Sequence, residues 1–221
     1  MSFFKFSLIS FVALTPLSSL SASTLETTLV WDVGKDRVLF KESVSATDTG
    51  FSAVLTTSAG EYDALDMDRN RSTLRWSRRD SVEDTQVTAE RVGSKVRVRG
   101  TFRGKPYDKT EEIGDLPWYQ LHEISYENLF LTGDASAKFW TIDRKRLKPR
   151  EFKAERVGDE AIEVMGGNIE AIKYSLTIHG VPGFLFTSHF WLRKTDGRFL
   201  KLEAPAILGY PRSTVELTGE S

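Results

Sequence analysis

The chain of 221 residues holds three histidines, His122, His179 and His189, and no cysteine. Clustered imidazoles would offer metal ligation or acid–base chemistry, but these three are scattered, without the spacing that sets two ligands on one helix face. The serine nucleophile elbow, the phosphate-binding loop and the dinucleotide glycine motif do not occur. A Ser/His/Asp set assembled only in space leaves no trace in residue order, because it is defined by geometry. The adjacent carboxylates Glu83-Asp84 and Glu111-Glu112 would point to opposite faces of a strand. They read as solvated edges and turns rather than as a paired acid and base. The residues therefore name no catalytic group, no metal and no cofactor.

Two other patterns could carry binding. Lys95, Arg97 and Arg99, with Arg103, recur at period two on one strand face, a candidate site for anionic headgroups or acidic glycans. A second basic cluster, Arg144, Lys145, Arg146, Lys148 and Arg150, sits in a turn. The plainer reading of the first is a solvated face balanced across the sheet: a two-residue turn at Gly93-Ser94 would set Glu90 opposite Arg97, a mildly stabilising pair. The five tryptophans are spread over separate segments. A curved sheet that gathered Trp118, Trp140 and Trp191 with His189 and Arg193 would form an apolar ligand site. Large aromatics are also what a β protein without disulfides needs for its core.

These side chains must be positioned by strands. After residue 24 the apolar pattern is mainly period two, broken by glycine-containing turns. The spacing predicts about eleven or twelve antiparallel strands in a single curved sheet or half-open barrel. One segment, LPWYQLHEISYENLFLTG, has a proline start, a glycine stop and an approximate helical stripe, predicting one helix over about residues 117–130. Strand–helix–strand alternation does not recur, which argues against a parallel doubly wound fold. An eight-stranded outer-membrane barrel conflicts with the dense charge of DRKRLKPREFKAER and ALDMDRNRST, which leaves no lipid-facing band.

The hairpin SHFWLRKTDGRFLKLE shows how register follows from burial. A loop of Thr195, Asp196 and Gly197 pairs Leu192 with Leu200 and Phe190 with Leu202, keeping one face apolar. Phe184, Phe186, Phe190, Leu192, Leu200 and Leu202 are then expected in the core. His189, Trp191, Arg193, Lys201 and Glu203 fall on the other face, either covered by the helix or open to a ligand.

The first 22 residues have the order of a secretory signal, with Lys5, an apolar stretch from Phe6 to Leu17 and small residues near Ala22. The apolar part is shorter than the roughly 20 residues of a spanning helix. Removal of residues 1–22 would leave 23–221 as a single β-rich domain, periplasmic or secreted, with no transmembrane segment. A retained N-terminal anchor is the alternative. Acidic residues number 31 against 30 basic ones, a balance that gives no reason to expect a nucleic-acid partner.

The run FWTIDRKRLKPREFKAERVGDEAIEVMGGNIEAIKYSLTI, then FWLRKTDGRFLKLEAP and STVEL, resembles the C-terminal half of exported bacterial proteins of unknown function. Their organisation is similar to the periplasmic lipoprotein-carrier fold, an open half-barrel with a helix plugging an apolar concavity. The resemblance spans about residues 137–217 and carries no catalytic residue over. It implies a non-enzymatic binding or carrier-type protein of the bacterial envelope, with a lipid or acyl ligand. A structural or assembly factor docking another envelope protein is the alternative, ahead of a hydrolase.

Overall fold

The computed structural model describes residues 24–120, 122–206 and 211–221; the export signal expected over residues 1–22 lies outside them. The chain first forms eight successive strands: β1 (Thr24–Val33), β2 (Asp36–Ala46), β3 (Gly50–Thr57), β4 (Glu61–Asp68), β5 (Thr73–Asp80), β6 (Thr85–Val92), β7 (Lys95–Phe102) and β8 (Lys105–Glu112). Helix α1 (His122–Thr132) follows, then β9 (Ser136–Ile142), β10 (Pro149–Val164), β11 (Gly167–Ile178), β12 (Ser188–Arg193), β13 (Phe199–Ala204) and β14 (Ser213–Glu220).

All fourteen strands join one sheet in the order β8-β7-β6-β5-β4-β3-β2-β1-β14-β13-β12-β11-β10-β9. The chain walks from β1 out to one edge, crosses through α1 to the other edge, and walks back until β14 pairs with β1. Every pairing between neighbouring strands is antiparallel, and the sheet is not closed, because β8 and β9 do not pair. Bulges at Thr28/Leu29, Asp66/Met67, Arg156/Gly158 and Trp191/Leu192 bend and twist it, as an extra residue on one strand does.

A mainly antiparallel curved sheet with one helix is what the periodicity predicts, but the strand count is higher. β4, EYDALDMD, is rich in acids, and β8, KPYDKTEE, combines acids with a proline, residue types that disfavour strands. Pairing with neighbours overrides that preference. Conversely, REFKAERV and EAIEVM are one strand, β10, whose bulge interrupts the alternation. The hairpin at Gly93-Ser94 has the expected register, with Val92 opposite Lys95 and Glu90 opposite Arg97. Gly93 there has φ +61°, open to glycine without strain.

The helix starts later than the predicted 117–130. Residues Pro117–Gln120 are extended, because their polar groups are committed elsewhere: Tyr119 N–H donates to Trp140 O (2.7 Å), Trp140 N–H to Pro117 O (2.8 Å) and Thr73 N–H to Trp118 O (2.7 Å). The Gln120 side chain accepts from Ile142 N–H (3.0 Å) and from Trp118 Nε1 (2.8 Å). This segment thus stitches the start of β5 to edge strand β9 across the sheet interior.

The inner face holds an aromatic stack. Tyr126 of α1 lies over Phe190 with ring centroids 4.1 Å apart, Tyr174 stacks on Phe190 at 5.1 Å, and Phe139 stacks on Phe152 at 5.8 Å. Phe139 also meets Tyr126 edge-on at 5.8 Å. Such pairs add about 0.5–1.5 kcal/mol each to the burial of their area.

Candidate functional site

The β12–β13 hairpin divides the molecule. Opposite partners are His189↔Glu203, Phe190↔Leu202 and Trp191↔Lys201, as the apolar-face rule predicts. A bulge then sets Leu192 opposite Phe199 rather than Leu200, so Phe199 and Leu200 are both buried. Gly197, at φ +75°, could not carry a side chain: an added Cβ would lie 2.4 Å from the Phe130 ring of α1. Phe186 packs against the core, but Phe184, expected there, is 88% exposed. The reason is local: Pro182 and Gly183 form a turn that lifts Phe184 out of the strand alternation.

On the Trp191 side, neither the helix nor open solvent covers the ring. The long β10–β11 hairpin supplies the cover, and Trp191 is only 5% exposed. Its Nε1 donates to Glu160 Oε1 at 2.6 Å, and Lys173 Nζ lies 5.1 Å and Lys201 Nζ 5.9 Å from the ring centroid. Lys173 also pairs with Glu160 at 3.2 Å. These two donors hold the Glu160 carboxyl below its ordinary range. His189 stands 6.3 Å from Trp191, and partial burial, helped by Lys173, lowers its pKa. Beside Trp191 a groove of about 480 Å³ runs between the hairpin residues Ile162–Gly166 and Lys201, Glu203 and Glu216.

The candidate ligand residues are therefore not one group. Trp118, fully buried, and Trp140 meet in a parallel bridge at the sheet edge. His189 and Trp191 lie on the β12 face opposite Phe190. Arg193 binds both carboxylate oxygens of Glu220, at 2.7 and 2.6 Å. The side chain of His122 lies outside what is described. In the candidate anion stripe every cation has a carboxylate partner. Arg97 holds Asp108 at 2.7 Å, Arg99 holds Glu90 at 3.2 Å and Lys95 holds Glu112 at 3.7 Å.

The arrangement that sequence reasoning missed lies under α1. Glu42 of β2 is 5% exposed. It faces a space of about 10 Å³, near the size of one water, lined also by Glu123 and Glu127 of α1 and by Arg198. Arg71 pairs with Glu127 at 3.1 Å, and Arg198 approaches the same carboxylate at 3.9 Å. Among the described residues Glu42 Oε1 has no hydrogen-bond partner. Burial above all, then repulsion from Glu123 and Glu127, pushes the Glu42 carboxyl up to about 8, against the pull of Arg71 and Arg198. Burial also raises Glu123 and Glu127. Period two could have found Glu42, since it shares a strand face with the buried Phe40 and Val44.

Chemically, then, the interior offers an aromatic floor on one side of α1 and a partly neutralised acid–guanidinium cluster on the other. No family model matches the chain, and no curated protein matches its sequence. Among solved structures, a β-barrel-like protein of a domain of unknown function from Brucella abortus is similar to it. The TM-score is 0.60 at 10% identity, over 90% of this chain and 97% of that one. MucB, and the MucA/MucB complex of Pseudomonas aeruginosa, align at TM-scores of 0.35 and 0.33 and 12% identity. They cover 90% of this chain but 52% and 51% of theirs. The Brucella likeness shows the fold, an open β-barrel-like sheet. Among the described residues no helix is long and apolar enough to cross a membrane.

Proposed function

We propose that the protein is an exported, non-enzymatic binding or carrier-type protein of the bacterial envelope, whose apolar ligand is a lipid or acyl chain. The observation that carries this reading is the seating of α1. An eleven-residue helix covers the Tyr174–Phe190–Phe139 floor of an otherwise continuous sheet. Its opposite side meets Glu42 and Arg198 around a small space that Leu29, Phe199 and Leu217 also line, with Arg71 paired to Glu127. A helix held this way is displaceable, and an acyl chain that took its place would meet the same aromatic surface. Buried ionic contacts contribute little net stability once desolvation is counted, so that side resists displacement less than the aromatic side does.

The second reading, an assembly factor docking another envelope protein, draws on the outer groove beside Trp191. Addition of a partner strand at β8 is disfavoured, because Lys105, Pro106, Asp108, Lys109 and the terminal glutamates blunt that edge. Native mass spectrometry and solvent extraction of the purified full chain separate the two. Co-purified lipid in stoichiometric amount supports the carrier; lipid-free protein in a stable complex with an envelope protein contradicts it.

A further inference from the structure

Helix α1 brings an anionic group onto a pair of arginines as well as a ring onto the aromatic floor. Glu127, the residue after Tyr126, pairs with Arg71 of the β4–β5 turn at 3.1 Å and with Arg198 of the β12–β13 turn at 3.9 Å. Among the described residues it is the one carboxylate paired with either guanidinium. The Arg71 side chain is 15% exposed, and its Nε has no hydrogen-bond partner among the described residues. Its guanidinium lies 4.7 Å from the Phe51 ring centroid. Arg198 lines the same small space as Glu42, Phe199 and Leu217. Both arginines belong to turns between strands, so they stay with the sheet when α1 leaves it.

A departing α1 takes Glu123 and Glu127 with it. Two largely buried guanidiniums then lose their counter-ion, and a buried charge without compensation is costly. The acids left on the sheet do not replace it. Glu42 is pushed by burial to about 8 and so carries a proton at neutral pH, and a chain laid over it would keep it buried. Glu220 also lines this space, but Arg193 holds both of its oxygens, and Asp196 pairs with Arg193 as well. A ligand that displaces α1 must therefore return what the helix supplied, since only differential interaction shifts the equilibrium. A neutral chain returns the ring contacts alone. A chain ending in a carboxylate or phosphate also returns an acceptor to both guanidiniums, whose planar donors match such groups.

We propose that the ligand is an anionic amphiphile, an acyl or alkyl chain with a carboxylate or phosphate head, and that Arg71 and Arg198 bind this head in place of Glu127. The assignment rests on the carrier reading above and names the ligand class of that same site. The test is titration of the purified full chain at neutral pH with palmitate, hexadecyl phosphate and methyl palmitate, the last matching palmitate in chain but not in charge. At least one anionic ligand should bind about tenfold or more tightly than methyl palmitate, the effect of hydrogen bonds to a charged group. The tighter of the two identifies the head. Arg71→Gln/Arg198→Gln should bind all three alike. Arg198→Gln alone, at the more exposed of the two positions, should keep its melting temperature and narrow the ratio. An arginine with a merely structural role would move all three affinities together and leave the ratio intact, which would overturn the assignment. Equal binding of charged and uncharged chains by the wild type would overturn it too and leave the carrier reading standing, whereas binding of none of the three would overturn both.

Discussion

The two sides of α1 are held by different physics. Toward β9 and β12, Tyr126, Leu129 and Ile124 are buried, and the Tyr126 ring stacks on Phe190 and meets Phe139 edge-on. Toward β2, Glu123 and Glu127 face Glu42, with Arg71 and Arg198 between the strand ends. Apolar burial is insensitive to pH; the contribution of a buried acid cluster is pH-dependent, and desolvation offsets much of the attraction between its charges. One helix is thus fastened firmly along one side and conditionally along the other.

The largest effect should come from the firm side. Phe190→Ala removes a fully buried ring and should cost about 3–5 kcal/mol, read as a fall in the urea midpoint with unchanged slope. His189→Ala, one residue away on the opposite face, should leave that midpoint nearly intact. Comparable losses would abolish the distinction between the faces.

The conditional side should answer to pH. Glu42 titrates near 8 in the folded protein against 4.5 when exposed, so folding retains a proton that the unfolded chain releases. Its stabilisation is full below about pH 4.5 and is lost as pH rises through about 8. A tenfold change in proton affinity is worth about 1.4 kcal/mol, so the loss across this window is on the order of a few kcal/mol. Glu42→Gln, which keeps the shape without the charge, should flatten the dependence between about pH 4.5 and about pH 8. A profile identical to wild type would remove Glu42 from the account.

Smaller effects belong to the outer surface. Glu160→Gln weakens the acceptor of Trp191 Nε1 and the partner of Lys173, and should cost about 1 kcal/mol in chemical denaturation. Arg97→Ala breaks an exposed, solvent-screened pair with Asp108 and should leave the urea midpoint nearly unchanged, with elution from heparin unchanged if the stripe is internally balanced.

What could be read from sequence follows the same division. The register of residues 188–203 was legible, because one face had to stay apolar. The bulge at Trp191/Leu192 was not, since no residue there marks it. In RVLFKESV the period-two pattern puts Glu42 on the face of Phe40 and Val44, but nothing local shows that α1 is laid over it. β4 and β8 were hidden by acids and Pro106, and Pro117–Gln120 looked helical because its long-range partners, Thr73, Trp140 and Ile142, lie in distant strands. Local pattern reports which face is apolar. It does not report what a distant segment will lay upon that face.

The central claim is that α1 yields its place on the aromatic floor to an acyl chain. Hydrogen exchange of the purified full chain, with and without palmitate, tests it directly. Residues 122–132 should lose amide protection when palmitate is added, while β11 and β12 keep or gain theirs. Unchanged exchange in α1 with bound palmitate, or α1 and the strands opening only together, would contradict it.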